Sequence, residues 1–250
     1  MTSLSIKNAA VATDSTFQEK LDKAIELHKE GNGGNISAIQ EAYRLLEQLR
    51  HDHPGHPLAD AYHGAVMNLI ARYSTKTFER LKYSNRGLKL LDEAVAADPN
   101  NPKIRLLRGK VAYAVPEKHF HRTATAIEDY KFLIDHSMRE NGALTEGDSK
   151  LVYELGEAYY RIGRNQDAAN CWRKLENDPE YGQTAKQKLQ SVAGRPAVEE
   201  VQSDGLGMSD FMGVIALATG KALLKWVKHE EKKARKKRKK KERRRRKRKH

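Results

Sequence analysis

The spacing of apolar residues predicts that most of the chain is helical. Between residues 17 and 192, apolar side chains recur at three- and four-residue steps, which is the spacing of one helix face. Turn sequences rich in glycine or proline interrupt this pattern, for example at 31–34, 53–57 and 98–102. No segment combines strict apolar–polar alternation with a two-residue hairpin turn. The chain is therefore predicted to be all-α.

The turns group the helices into pairs. The predicted helices cover approximately 17–30, 36–49, 58–73, 81–97, 103–114, 123–138, 149–162, 165–176 and 181–192. The cycle of helix, turn and helix recurs every 34 to 50 residues or so, which indicates a repeat architecture. Residues 1–15 are small and polar with no sustained period, and we expect them to be disordered or frayed.

The clearest repeat unit runs from Ser149 to Tyr181 and reads SKLVYELGEAYYRIGRNQDAANCWRKLENDPEY. It resembles the tetratricopeptide repeat, whose defining small and large positions are filled here by Leu155, Gly156, Tyr159, Gly163, Ala168 and Trp172. The small residues let two antiparallel helices approach closely, and the aromatic residues fill the space beside them. Gly163 suits a left-handed turn between the helices.

Upstream, the resemblance is weaker but extends over about residues 35–190. Asp98–Pro102 resembles a link between two repeats, and Gly64 and Gly109 lie near the small position of a first helix. The resemblance implies a tetratricopeptide-like stack of antiparallel helix pairs, which we place at 16–193. It also implies that the protein binds segments of partner proteins on a concave surface.

In such a stack, the first helix of each pair lines the concave side. The residues that the resemblance places there in the clearest unit are Tyr153, Glu154, Glu157, Tyr160 and Arg161. Tyrosine and glutamate suit a basic or amphipathic ligand, and the same residues also suit an ordinary solvated face. One subclass of tetratricopeptide repeat proteins binds the C-terminal carboxylate of a partner through asparagines that directly follow the small residue of the first helix. That position holds Ala65, Lys110 and Glu157 here, so this mode is not expected.

The net charge of +14 divides unevenly along the 250 residues. The segment 232–249 alone carries 16 basic residues and one acidic residue, so the rest of the chain is close to neutral. A block of like charges repels itself, and we expect 232–250 to be disordered or transiently helical. Such a tail binds polyanions without reading a base sequence. Nucleic acid, the ribosome and an anionic membrane surface all remain open as its partner.

A second basic region, with a net charge of +7, lies at 72–122. Its candidate anion-binding residues are Arg72, Lys82, Arg86, Arg105, Arg108, Lys110 and Arg122. Several of them recur at helical spacing, so they could form a stripe that recognises carboxylates or phosphates. The alternative is a solvated helix face with acidic residues of neighbouring helices opposite it.

Two further segments precede the tail. Residues 194–207 have the composition of a linker. Residues 208–231 predict an amphipathic helix, with Phe211, Ile215 and Trp226 on its apolar face. Its longest uncharged run is too short to span a bilayer. We therefore expect this helix to lie on a membrane surface or against a partner, with no transmembrane span.

The sequence contains no recognisable catalytic motif, and we expect no enzymatic activity, no cofactor, no metal and no small-molecule substrate. The single cysteine, Cys171, excludes a disulfide framework within the chain and favours a reducing compartment. We predict an adaptor that binds a partner protein through the repeat body, while the C-terminal helix and tail attach it to an anionic surface. The alternative is a protein that binds RNA or the ribosome through 72–122 and the tail. The expected location is the cytoplasm, in part at a membrane surface, or the nucleus if the source is eukaryotic.

Overall fold

The computed structural model describes residues 2–194, which contain helices and no strands. The helices are α1 (Thr2–Asn32), α2 (Ile36–Asp52), α3 (Pro57–Tyr73), α4 (Thr77–Ala97), α5 (Pro102–Ala114), α6 (Glu117–Phe120), α7 (Thr123–Asn141), α8 (Ser149–Arg161), α9 (Asn165–Arg173) and α10 (Gly182–Val192), with a 3-10 turn at Glu146–Asp148. The prediction of an all-α chain is confirmed. Most of the predicted linker, the amphipathic helix and the basic tail lie at 195–250, outside the described residues.

The N-terminal helix is longer than the sequence pattern predicts. Helix α1 begins at Thr2, whereas we expected a disordered or frayed segment through residue 15. The segment 2–15 contains no glycine and no proline, so no residue in it breaks the helix that continues into 17–32. The helix ends at the glycine turn, where Gly34 adopts a φ of 107°.

Residues of the turn sequences also cap the helices that follow them. The side chain of Asn35 accepts a hydrogen bond from the backbone of Ala38 at the start of α2. Asn101 does the same for two backbone N–H groups of α5, and Pro102 fills the first helical position, where its missing N–H costs nothing. Proline likewise begins α3 at Pro57.

The chain divides into two compact units. The described part of the first unit is 2–116 and 121–194. Its helices pack in four pairs, which are α1 with α2, α3 with α4, α5 with α7 and α8 with α9. The last helix, α10, lies against α9. The four-residue helix α6 belongs to the second unit. The first unit is thus a stack of four antiparallel helix pairs closed by a single helix.

Three of the pairs share one kind of close approach, centred on a glycine of the first helix. A Cβ atom at Gly156 would lie 2.4 Å from Nε1 of Trp172, which is fully buried on α9. At Gly109 it would lie 3.0 Å from the ring of Tyr130 on α7, and at Gly64 it would lie 2.6 Å from the carbonyl oxygen of Gly87 on α4. The three glycines therefore occupy equivalent positions in successive pairs.

The clearest repeat unit packs as a small core around Trp172. Leu155, Tyr159 and Ala168 are buried in the same apolar cluster as the indole ring. Gly163 adopts a φ of 82° in the turn between α8 and α9, a left-handed conformation that glycine adopts without strain.

Candidate protein-interaction face

Side chains of α5, α8 and α10, with Tyr181 directly before α10, form a continuous polar and aromatic surface, which we call the tyrosine face. Its members are Lys110, Tyr113, Tyr153, Glu154, Glu157, Tyr160, Arg161, Tyr181 and Lys188. All five residues that the sequence placed on the concave side belong to it. Tyr113, Tyr181 and Lys188 come from neighbouring elements and join α8 on both sides.

Glu154 lies at the junction of α5 and α8. Its Oε2 atom accepts hydrogen bonds from Lys110 Nζ at 2.7 Å and from the Tyr130 hydroxyl at 2.6 Å. Lys110 Nζ also lies 5.5 Å from the centre of the Tyr130 ring. Burial, followed by the charge of Glu154, raises the pKa of the Tyr130 hydroxyl, which therefore stays protonated and donates to the carboxylate.

Glu157 forms the corresponding pair toward α10. Lys188 Nζ lies 2.8 Å from one oxygen of Glu157 and 3.0 Å from the other. The same ammonium group lies 5.8 Å from the centre of the Tyr160 ring and 5.7 Å from that of Trp172. Burial alone would lower the pKa of Lys188, but the hydrogen bond and charge of Glu157 outweigh it, so its pKa is raised and it is cationic at neutral pH.

Two further contacts complete the tyrosine face, one between Arg161 and Tyr113 and one between Tyr153 and Tyr181. The guanidinium of Arg161 donates to the backbone carbonyl of Tyr113 at 2.8 Å and stacks 4.6 Å from the centre of its ring. On the other side of α8, the rings of Tyr153 and Tyr181 lie 5.2 Å apart. The face therefore extends from α5 across α8 to the start of α10.

The acidic groups of the tyrosine face are less exposed than its basic groups. The side chains of Glu154 and Glu157 are 13% and 21% exposed, and those of Lys110 and Lys188 are 36% and 30% exposed. Arg161 is also exposed. The carboxylates are thus less accessible than the cations that neutralise them.

Four of the seven basic residues predicted to bind anions are paired with acidic side chains. One of them is Lys110. The other three are Arg105, Arg108 and Arg122, which form a network with the carboxylates of Asp92, Glu128 and Asp129. Arg108 binds Asp129 through two nitrogens, each at 2.7 Å, and Arg105 reaches the same carboxylate at 2.9 Å. With three charges of each sign, the network is neutral.

The remaining three basic residues do not continue the network. Lys82 and Arg86 are exposed on α4, and the described residues give neither an ion pair. Arg72, at the end of α3, donates to the Asn32 side chain at 3.3 Å. The spacing of the seven residues in the sequence therefore does not translate into one stripe of unpaired cations. Acidic residues of neighbouring helices lie opposite four of them, as in the alternative that the sequence left open, but the three arginines of the network are mostly buried and do not form a solvated face.

Sequence reasoning missed the parts of the tyrosine face that are distant along the chain. Tyr113 follows Lys110 by three residues on one face of α5, a spacing that could have associated it with the site. No pattern in the sequence indicated that Lys188 on α10 reaches Glu157.

Solved structures resemble this chain in fold. One is a MamA mutant, with 16% sequence identity and a TM-score of 0.50, which covers 72% of this chain and 87% of its own. A MamA double mutant (15% identity, TM-score 0.43, 68% and 93% coverage) and TTC0263, a thermophilic TPR protein of Thermus thermophilus (14%, 0.35, 70% and 98%), also match. No protein-family model and no curated protein matches the sequence. The fold is tetratricopeptide-like.

Within 2–194, no three histidine, cysteine or acidic side chains come together in a way that could hold a metal ion. No helix in the same range is long and apolar enough to cross a membrane.

Proposed function

We propose that this protein is a non-enzymatic adaptor that binds a partner protein through the tyrosine face. The observation that carries the proposal is the continuity of this face over three helices of a tetratricopeptide-like stack, with four tyrosines that are only partly buried. Partly buried tyrosines supply large contact areas at low entropic cost, and they are enriched at protein interfaces.

Photo-crosslinking from the full chain tests this proposal. A photoreactive phenylalanine analogue replaces Tyr153 in one variant and Met138, an exposed residue of α7, in a matched variant. We expect a discrete crosslinked partner from position 153 that is absent from position 138. Equal crosslinking from both positions would contradict the assignment of this face.

The second half of the proposal assigns attachment to the C-terminal segment. The amphipathic pattern of 208–231 and the 16 basic residues that follow support peripheral binding to an anionic surface in a reducing, cytoplasmic setting. Replacing the basic residues of 232–249 with glutamine in the full chain should abolish salt-sensitive binding to anionic vesicles and to RNA, and it should leave the crosslink from position 153 intact. Unchanged binding to both polyanions would contradict this half.

An alternative function, direct binding of RNA by the repeat body, is supported by the exposed pair Lys82 and Arg86. These residues lie four positions apart on α4 with Tyr83 between them. Under this alternative, the double variant K82E/R86E, combined with the glutamine tail, loses the remaining RNA affinity. Under the adaptor proposal, that variant binds RNA no differently from the glutamine-tail chain.

A further inference from the structure

From the layering of charge on the tyrosine face, we infer that its ligand is an acidic segment of the partner, in which carboxylates alternate with apolar or aromatic residues. The inference rests on the proposed function, because it specifies the partner for the same face. It differs from the expectation from the sequence, in which the tyrosines and glutamates of α8 suited a basic or amphipathic ligand.

The first argument is accessibility. A ligand that approaches the face meets Lys110, Lys188 and Arg161 before it meets either glutamate, since the cations are the more exposed groups. Both glutamates already have cationic partners at 2.7 to 3.0 Å. A basic ligand would have to displace these lysines, whereas an acidic ligand contacts them directly.

The second argument is the number of hydrogen-bond donors that remain. An ammonium group has three N–H donors and a guanidinium has five. Lys110 donates to Glu154, and Arg161 donates one bond to the Tyr113 carbonyl. Incoming carboxylates can therefore bind the outward N–H groups while the existing bonds stay in place, so neither glutamate is left buried without a partner.

The third argument is the distribution of the cations. Lys110 lies on α5, Arg161 at the end of α8 and Lys188 on α10, so the positive groups are spread across three helices. The partly buried tyrosine rings lie among them. This arrangement fits an extended segment whose carboxylates reach successive cations and whose other side chains stack on the rings.

Binding can be measured at the face itself, separately from binding by the basic tail. The chain has two tryptophans, so the full-length variant Trp226→Phe leaves Trp172 as the single tryptophan, whose emission can be excited selectively. Lys188 Nζ lies 5.7 Å from the centre of that indole ring, so a ligand that binds Lys188 changes the local field. The probe is a synthetic dodecapeptide of alternating glutamate and tyrosine, and the matched probe has lysine in place of glutamate.

A matched pair of variants, both made in the Trp226→Phe chain, identifies the contacts. K110Q/R161Q/K188Q removes the three cations of the face. R44Q/K131Q/K174Q removes three exposed cations that lie on α2 and α7 and directly after α9. Both keep the tail and lose the same charge. We expect the first variant to weaken binding of the acidic peptide about tenfold at physiological salt, and the second to change it less than about twofold.

Arg161→Gln provides a variant that leaves no carboxylate unpaired, because Arg161 donates to a carbonyl group rather than to an acid. A roughly threefold loss of affinity in this variant supports the inference without concern about stability. Equal weakening by both triple variants, or a Trp172 response to the lysine peptide alone, would overturn it. If the crosslink from position 153 persists while the acidic peptide fails to bind, the proposed function stands and the inference fails.

Discussion

The third helix pair (α5 and α7) and the fourth (α8 and α9) both bring their two helices into close contact, but they differ in the residue that packs beside the contact. In each, a glycine of the first helix lies against the second helix, and the residue before that glycine is buried: Arg108 is 8% exposed and Leu155 is 6% exposed. Leu155 belongs to the apolar cluster around Trp172. Arg108 instead forms a bidentate ion pair with Asp129, which is fully buried.

This difference shows that the close approach of the helices, rather than the apolar contact beside it, is the feature that the two pairs share. A buried ion pair can fill the position of a leucine if every charge is compensated and hydrogen-bonded. The pair of Arg108 and Asp129 meets that condition, because Arg105 also binds Asp129 and Arg108 also binds Glu128. The following predictions test how far the two solutions can be exchanged.

The largest effect is expected when the arginine of the third pair is introduced into the fourth. Leu155→Arg places a charge in an apolar cluster, and we expect it to lower the free energy of unfolding by more than about 4 kcal/mol. Urea unfolding monitored by Trp172 fluorescence measures the change. Leu155→Met, which preserves volume and polarity, should cost less than about 1.5 kcal/mol. Equal stability of the arginine and methionine variants would show that the fourth pair has no need of an apolar residue at this position.

The next largest effect is expected from opening the ion network. Asp129→Ala leaves Arg108 buried without its bidentate partner, and it should lower the free energy of unfolding by about 3 kcal/mol or more. In the double variant R108L/D129L the pair is replaced by apolar side chains, while Arg105 keeps Glu128 and Arg122 keeps Asp92. We expect the double variant to regain at least half of the loss in urea unfolding. A double variant no more stable than Asp129→Ala would show that the network requires all six groups.

The same comparison explains which features the sequence could predict. The helix ends follow from local signals such as Asn101 and Pro102, and the glycine positions follow from the resemblance of one unit to a known repeat. The partner of Arg108, however, lies 21 residues away on α7, and its position depends on the packing of two helices. Charge counted along the chain therefore left an anion-binding stripe open, although Arg105, Arg108 and Arg122 belong to a neutral network in the folded protein.

The tyrosine face shows the same limit. Its α8 residues were predicted from the repeat register, because position in a repeat determines which way a side chain points. The partners of Glu154 and Glu157 come from α5 and α10, so the charge balance of this surface could not be predicted from α8 alone. The two lysine–glutamate pairs form only when the helices pack together.

A smaller effect is expected at the glycines themselves. Gly156→Ala puts a methyl group against the buried indole of Trp172, and it should lower the free energy of unfolding by about 2 kcal/mol. The contacts at Gly109 are longer, 3.0 Å against 2.4 Å, so Gly109→Ala should cost about 1 kcal/mol or less once the gain in helix propensity is included. Thermal unfolding of the two full-length variants tests the order. The reverse order would contradict the tighter approach in the fourth pair.

The last prediction concerns acid sensitivity. It applies to the second helix pair (α3 and α4), in which a histidine occupies the position that Arg108 and Leu155 hold in the third and fourth pairs. His63 occupies the position before Gly64, is 1% exposed and has its Nδ1 atom 3.3 Å from the Arg50 guanidinium. Burial, and then the charge of Arg50, lowers its pKa to about 4. The unfolded chain takes up this proton more readily than the folded chain, so stability is complete above pH 6.5 and falls as the pH decreases toward 4. We expect this residue to lower the free energy of unfolding by about 2 kcal/mol between pH 7.5 and pH 5.

A second histidine contributes in the same direction. The pKa of His28 is lowered to about 4 by burial and by Arg72, so it also lowers the free energy of unfolding as the pH decreases. The variant His63→Gln, compared with the parent chain by urea unfolding at both pH values, should show a smaller decrease in stability, and an equal decrease would show that His63 does not take up a proton on unfolding.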